Sequence, residues 1–125
     1  MEIGISKDGD VSVMTLKGRL RAQHWRVIDK HVDALLDRGA RRIVMDLSGV
    51  TFMDASGFAS IRDHVRKAGN RDAGFMVLAD SDYLREAFRS AEGGSAWDGL
   101  LYLERGALEK RLRDPRTAAT APGRE

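Results

Sequence analysis

Apolar and polar residues alternate at the start of the chain, with the period of two that is typical of β-strands. Ile3 and Ile5 alternate with Gly4 and Ser6, and residues 11–18, "VSVMTLKG", form a second strand-like run. Between them, "KDGD" places a glycine where a tight turn needs a positive φ. We therefore predict an antiparallel hairpin.

The period then changes to that of an amphipathic helix over residues 24–38. Its apolar positions are Trp25, Ile28, Val32, Leu35 and Leu36. Its other face carries Arg26, Asp29, Lys30, Asp33 and Asp37. Gly39 is placed to cap the end of this helix.

A second amphipathic helix is predicted to begin just past Gly57 and to end at Gly69 and Asn70. Its apolar positions are Phe58, Ile61, Val65 and Ala68. The residues expected to face water are Arg62, Asp63, Arg66 and Lys67.

Short apolar runs at 43–47, 75–79 and 100–103 predict further strands, the first two of a buried type. A third helix is capped by Ser81 or Asp82, and its apolar positions are Leu84, Ala87, Phe88 and Ala91. A loop follows at 92–99, and a last helix spans 106–112. Right-handed crossovers then imply an α/β fold of order ββαβαβαβα. We expect a mixed, mostly parallel sheet of four to five strands with about four helices.

The 125 residues suffice for one domain, which we predict over 1–112, followed by a disordered tail at 113–125. Hydrophobic residues make up 42% and charged residues 32%, and no apolar run approaches the length of a membrane span. We therefore expect a cytoplasmic protein without a membrane span.

The composition narrows the chemistry that is open to the chain. Without cysteine, thiol catalysis and thiolate metal sites are excluded, and His24, His31 and His64 lack the spacing of a metal site on one helix. We expect these histidines to be exposed or half-buried, and we expect neither a metal nor a cofactor. The net charge of the chain is +2. The densest group of basic residues is "RGARR", residues 38–42, which lies at a helix end. Nucleic-acid binding is therefore not expected.

The stretch "VMDLSGVTFMDASGF", residues 44–58, resembles the core motif of the STAS domain. "LKGRL" is similar to that family's strand ending in Gly-x-Leu, and "RRIVMDLSGV" follows in the expected order. The resemblance covers roughly residues 3–112. It implies the fold of bacterial anti-sigma-factor antagonists and of their relatives in stressosomes and transporters.

The resemblance implies recognition without catalysis. Such an antagonist binds an anti-sigma factor that is often a kinase, and phosphorylation at the start of the second helix separates the two. Here the usual phosphoacceptor position holds Ala55, which has no hydroxyl, and Arg21 stands where the family often carries Asp. The usual phospho-switch is therefore not expected.

Ser56, the neighbouring hydroxyl, has two open interpretations. Its oxygen could accept hydrogen bonds from backbone N–H groups at the helix start, or it could be phosphorylated. Asp54 could likewise stabilise the positive end of the helix. A hydrolase nucleophile is not indicated, since that motif needs glycine two residues before the serine.

Two kinds of partner remain open. An anti-sigma factor would make the chain a regulator of transcription. A transport ATPase or sensory scaffold would make it a docking subunit. A receiver-like domain is a lesser alternative. The oligomeric state stays open, as does whether Phe58 is core or an exposed anchor. The residues predicted to contact a partner are Leu20, Arg21, Ala22, Gln23, Asp54, Ala55, Ser56, Gly57, Phe58 and Arg62.

Overall fold

The computed structural model describes residues 1–90, 97 and 100–113, which form a five-stranded sheet with helices against both faces. The strands are β1 (Glu2–Asp8), β2 (Val11–Leu20), β3 (Arg42–Met53), β4 (Gly74–Leu78) and β5 (Leu101–Tyr102). The helices are α1 (Ala22–Asp37), α2 (Ala55–Asn70), α3 (Asp82–Ser90) and α4 (Arg105–Leu112). The predicted order ββαβαβαβα is confirmed. Ala91, the predicted loop 92–99 apart from Trp97, and tail residues 114–125 lie outside the described residues.

The strands follow one another across the sheet in chain order, β1-β2-β3-β4-β5. β1 runs antiparallel to β2, and every later pairing is parallel. The predicted hairpin is therefore confirmed, and Gly9 in its turn has φ +63°. The mixed, mostly parallel sheet follows from helical crossovers after a single hairpin.

β2 and β3 both run further than their hydrophobic patterns predict. Thr15 pairs with Asp46, but Lys17 already pairs with Gly49, so β3 carries an extra residue at this point. A second irregularity follows before Leu20 pairs with Met53. Such bulges break the alternation of side chains, which is why the pattern predicted a strand of only 43–47.

The sheet has a large core on one face and a small one on the other. Alternate residues of β3, Ile43, Met45 and Leu47, point toward α1, α2 and α3, whereas Val44 points toward α4. Leu108 of α4 packs on this second face. The helices therefore sandwich the sheet unequally.

Polar side chains join α1 to α2. Three aspartates of α1 pair with two residues of α2 and with the residue that follows it: Asp29 with His64 at 2.5 Å, Asp33 with Lys67 at 3.1 Å, and Asp37 with Arg71 at 2.7 Å. These side chains remain partly accessible, but their pairing was not predicted, because the pattern of one helix does not show the helix beside it.

His64 also departs from the expectation that the histidines are exposed or half-buried, because its side chain is fully buried. Its Nε2 contacts an Oδ1 atom of Asp29, and its ring lies between Trp25 and Phe75, with centroids 6.3 and 5.9 Å away. Burial lowers the pKa of His64, although the hydrogen bond to Asp29 acts in the opposite direction. The neutral imidazole is therefore the favoured form.

The two long helices end in the same way, on different residues. Gly39 follows α1 with φ +86°, and the amides of Gly39 and Ala40 donate to carbonyls of the last turn, as predicted for a glycine cap. α2 ends at Asn70, as predicted. Asp72 takes the left-handed position there, with φ 57°.

Candidate functional site

The parallel pairing of β2 and β3 brings two loops together at one edge of the sheet. Because Leu20 pairs with Met53, the chain leaves both strands at the same level. Arg21 then precedes α1, and Asp54 precedes α2. The two segments predicted from the sequence to form one surface, 20–23 and 54–57, therefore start side by side.

The junction between β3 and α2 is closed by its own polar groups. α2 begins at Ala55 rather than past Gly57, and Asp54 before it is extended, with φ −89° and ψ 178°. The Ser56 hydroxyl donates to Asp54 Oδ1 at 2.5 Å, and the Gly57 amide donates to the Asp54 carbonyl at 3.0 Å. The adjacent carboxylate therefore orients the Ser56 hydroxyl, and the role of Ser56 as an acceptor from backbone amides stays a prediction.

Gly57 lies where the first turn of α2 meets the core. A Cβ atom added there would lie 2.5 Å from Cγ of Met53 and 2.8 Å from an indole carbon of Trp25. Distances below 3 Å require the neighbouring atoms to move. The glycine of "DASGF" is therefore needed for close approach, and it fixes how deeply the helix start sits.

Tyr83 of α3 holds the end of β3 from the other side. Its hydroxyl accepts from the Met53 amide at 2.9 Å, while 41% of the residue remains exposed. Nothing in the sequence marks Tyr83 as part of this site, since only the fold brings α3 to this edge. The tyrosine therefore positions the junction and also lines the surface beside it.

Arg21 and Phe52 form an exposed pair on the opposite flank of the junction. The Arg21 guanidinium lies 5.6 Å from the centre of the Phe52 ring, and Phe52 is 38% exposed. The Arg21 amide donates to Nδ1 of His24 at 2.9 Å, which fixes the start of α1. Phe52 carries no such signal in the sequence, because the irregular register of β3 hides which of its residues face outward.

The ten residues predicted to contact a partner differ in their exposure to solvent. Five are exposed: Arg21, Ala22, Gln23, Ala55 and Arg62. Asp54, Ser56 and Phe58 are half-buried, whereas Leu20 and Gly57 are buried. Leu20 and Gly57 can therefore shape this surface, but their side chains offer it almost no area.

Phe58 packs inward rather than standing free beside Ser56. Its ring meets Phe88 edge-on at 5.0 Å and Trp97 at 6.3 Å. Arg62, one turn later, stacks over Trp97 at 5.6 Å. Phe58 is accordingly a half-buried residue that packs against the main core, which favours the first of the two interpretations.

The earlier part of the motif, "DLS", has a structural explanation. Asp46 Oδ1 accepts from the Ser48 amide at 2.9 Å, and Oδ2 accepts from Arg105 at 3.1 Å. Burial acts to raise the pKa of Asp46, but these hydrogen bonds outweigh it and the pKa is lowered. Asp46 therefore stays ionised and stabilises the first irregularity of β3.

Other kinds of site find little support among the described residues. Within 1–90, 97 and 100–113 no group of three or more acidic residues and histidines could hold a metal. Nor does any helix in these ranges combine the length and apolar character that a membrane span requires.

Comparison with known proteins agrees with this geometry. A family model described as "Mlab, STAS domain" matches residues 3–100. No curated protein matches the chain.

Solved structures of anti-sigma-factor antagonists share the fold. One from Mycobacterium paratuberculosis is 21% identical with a TM-score of 0.77, covering 90% of this chain and 94% of its own. Unphosphorylated SpoIIAA is 17% identical, and phosphorylated SpoIIAA from Bacillus is 19% identical; both have a TM-score of 0.67 and cover 90% of this chain. These matches cover 98% and 100% of the two SpoIIAA chains.

The family model spans most of the chain, and the order of strands and helices is that of the solved antagonist structures. The chain therefore belongs to the STAS domain family.

Proposed function

We propose that this chain is a non-enzymatic regulator that binds a protein partner through the surface around the start of α2, in the manner of an anti-sigma-factor antagonist. The surface comprises the exposed side chains of Arg21, Phe52, Ala55 and Tyr83 around the Asp54–Ser56 hydrogen bond. Exposed aromatic and arginine side chains around a small central residue are the composition expected of a binding surface.

This proposal rests on the side chains at positions 55 and 56, where a phosphate would be attached. Ala55 is exposed but has no hydroxyl, and the Ser56 hydroxyl is already bound to Asp54 Oδ1 at 2.5 Å. A phosphate on Ser56 would put two further negative charges against that carboxylate. Binding is therefore proposed to be constitutive rather than released by phosphorylation.

The charge of Arg21 bears on the choice of partner. It is exposed and lies over the Phe52 ring, and so presents a cation to whatever docks there. A partner with an acidic residue at the facing position would be favoured, and one with a basic residue would be repelled.

The proposal is tested by affinity capture from native extract, with mass spectrometry used to identify the partner. We expect the unmodified protein to capture a kinase-like anti-sigma factor. The Ala55→Glu variant should no longer capture it. Ala107→Glu is the matched control, because Ala107 is exposed on α4, on the other face of the sheet. Capture of transporter or scaffold subunits instead would favour the docking-subunit alternative.

The phosphorylation state is tested with the captured kinase and ATP. We expect no phosphate on Ser56, and we expect phosphate at position 55 in Ala55→Ser, which restores the missing hydroxyl. Phosphate on Ser56 of the unmodified protein would contradict constitutive binding and would mean that the switch had moved by one residue.

A further inference from the structure

A groove of about 540 Å³ opens at the end of the sheet opposite to the junction, near the amino ends of β2 and β3. β1 and the hairpin turn form one wall, and the end of α1 with the loop after it forms the other. The floor is apolar, because Leu35 and Ala40 pack there on the core and Ile5, 45% exposed, lies beside them.

The rim of this groove is basic. Lys7, Arg38 and Arg41 line it and are exposed. Asp10 also lines it, but its carboxylate is bound to Arg42 at 2.7 Å, and that hydrogen bond is the main reason why its pKa is lowered. Among the side-chain ion pairs of the described residues, none includes Lys7, Arg38 or Arg41.

β1 offers a second recognition element along the groove. It is the first strand of the sheet order and pairs with β2 alone, so its outer backbone edge has no partner strand among the described residues. Of its seven residues, only Ile3 is half-buried and the rest are exposed. An unpaired edge of this kind can add an extended segment through main-chain hydrogen bonds.

We propose that this groove binds an extended acidic segment of a partner protein. Alternate side chains of an extended segment point to the same side, so the side chains that face the groove can place carboxylates against its basic rim or apolar groups on its floor, while those between them face away. Nucleic acid fits less well, because the groove has an apolar floor and no aromatic side chain on which a base could stack. The groove is separate from the surface around α2, so the chain could hold two partners at once.

The test is an NMR titration of the full chain, labelled with ¹⁵N, with a synthetic peptide in which glutamate alternates with valine. We expect shifts confined to β1, the hairpin turn and residues 35–41, and binding that weakens as salt is added. The triple variant K7E/R38E/R41E should bind at least tenfold more weakly and should instead bind a peptide with lysine in place of glutamate. The matched control is R19E/R26E/K30E, which reverses three exposed cations outside the groove.

Three results would overturn the proposal. They are the absence of shifts at millimolar peptide, equal binding by the groove variant and its control, and shifts centred on α2 rather than on the groove. Competition by duplex DNA at equal charge concentration would also count against it, since charge alone would then explain the binding. The groove variants leave residues 54–57 unchanged, so partner capture through the junction can fail or succeed independently of this test.

Discussion

The two faces of the sheet are stabilised by different forces. Among the described residues, 22 buried residues form the core between the sheet and α1, α2 and α3, whereas five form the cluster under α4. α4 supplies one of those five, Leu108. Because burial of apolar area is the main stabilising term, the first face must carry most of the free energy of unfolding.

On the second face, polar links hold both ends of α4. Arg105 reaches Asp46 at 3.1 Å, and Arg42 donates to the carbonyl of Leu112 at 3.0 Å while it also binds Asp10. Links of this kind are specific in position but weak in energy when they are partly solvated. The comparison teaches that α4 can open locally while the rest of the fold remains intact.

Phe88→Ala should give the largest effect, since Phe88 lies in the main core and is 2% exposed. We expect a loss of about 3–5 kcal/mol in the free energy of unfolding, measured by urea denaturation. Leu108→Ala on the other face is the control. Its expected loss is about 2 kcal/mol, the low end for such a truncation, because α4 can adjust locally. Equal losses would contradict the difference between the faces.

Gly57→Ala should give the next largest effect, because the added Cβ meets Met53 and Trp25 at less than 3 Å. We expect a loss of about 1–3 kcal/mol and displaced resonances at the start of α2. Gly106→Ala on α4 is the matched control, since nothing lies within 4 Å of its added Cβ. A neutral Gly57→Ala would mean that the flexible Met53 side chain yields without cost.

The same contrast explains what the sequence could predict. Regular helices and strands of the main core follow from hydrophobic periodicity, and Gly39 marked the end of α1 correctly. The end of β3 was hidden because its extra residues break the period of two. Asp72 was missed because aspartate in the left-handed region has no local signal as clear as that of glycine.

The candidate site could be predicted in part. Residues 54–57 carried a recognisable motif, but Tyr83 and Phe52 are brought to it only by strand order and register. The contacts between the polar faces of α1 and α2 were not predicted, because a single-helix pattern does not show the neighbouring helix. Contacts between elements distant in sequence, such as Asp29 with His64, are what periodicity omits.

His64 should make the main core sensitive to pH. Its pKa is lowered mainly by burial, against the pull of Asp29 and Asp63, with the Lys67 charge adding to the lowering. The unfolded chain therefore binds the proton first as pH falls below the ordinary value of 6.5. Stability is fully present above 6.5 and falls below it, by up to about 1.4 kcal/mol per pH unit for one proton.

Urea denaturation of the unmodified protein between pH 7.5 and 5.5 measures this loss. His64→Phe keeps a ring in the pocket without a titrating group, so its stability should change little over that range. His31→Gln, a half-buried histidine of α1, is the control and should keep the pH dependence. A His64→Phe variant that loses stability as steeply as the unmodified protein would place the titrating group elsewhere.

Arg105→Gln should give the smallest effect, and it tests the polar attachment of α4 directly. The Arg105 side chain is 51% exposed and Asp46 is 11% exposed, so the link contributes at most about 1 kcal/mol. Amide exchange in α4 should rise by up to about fivefold, while exchange in α1 and α2 stays the same. Lys110→Gln, exposed on the same helix, is the control.

Acid should reproduce the effect of Arg105→Gln in the unmodified protein. Because the pKa of Asp46 is lowered, its contribution is present above the ordinary aspartate value of 3.8 and is lost as pH falls through the lower value of the folded state. Exchange in α4, corrected for its intrinsic pH dependence, should therefore rise below pH 3.8 and not between 6.5 and 5, where His64 acts. A rise in α4 in that upper range would show that the two faces open together rather than separately.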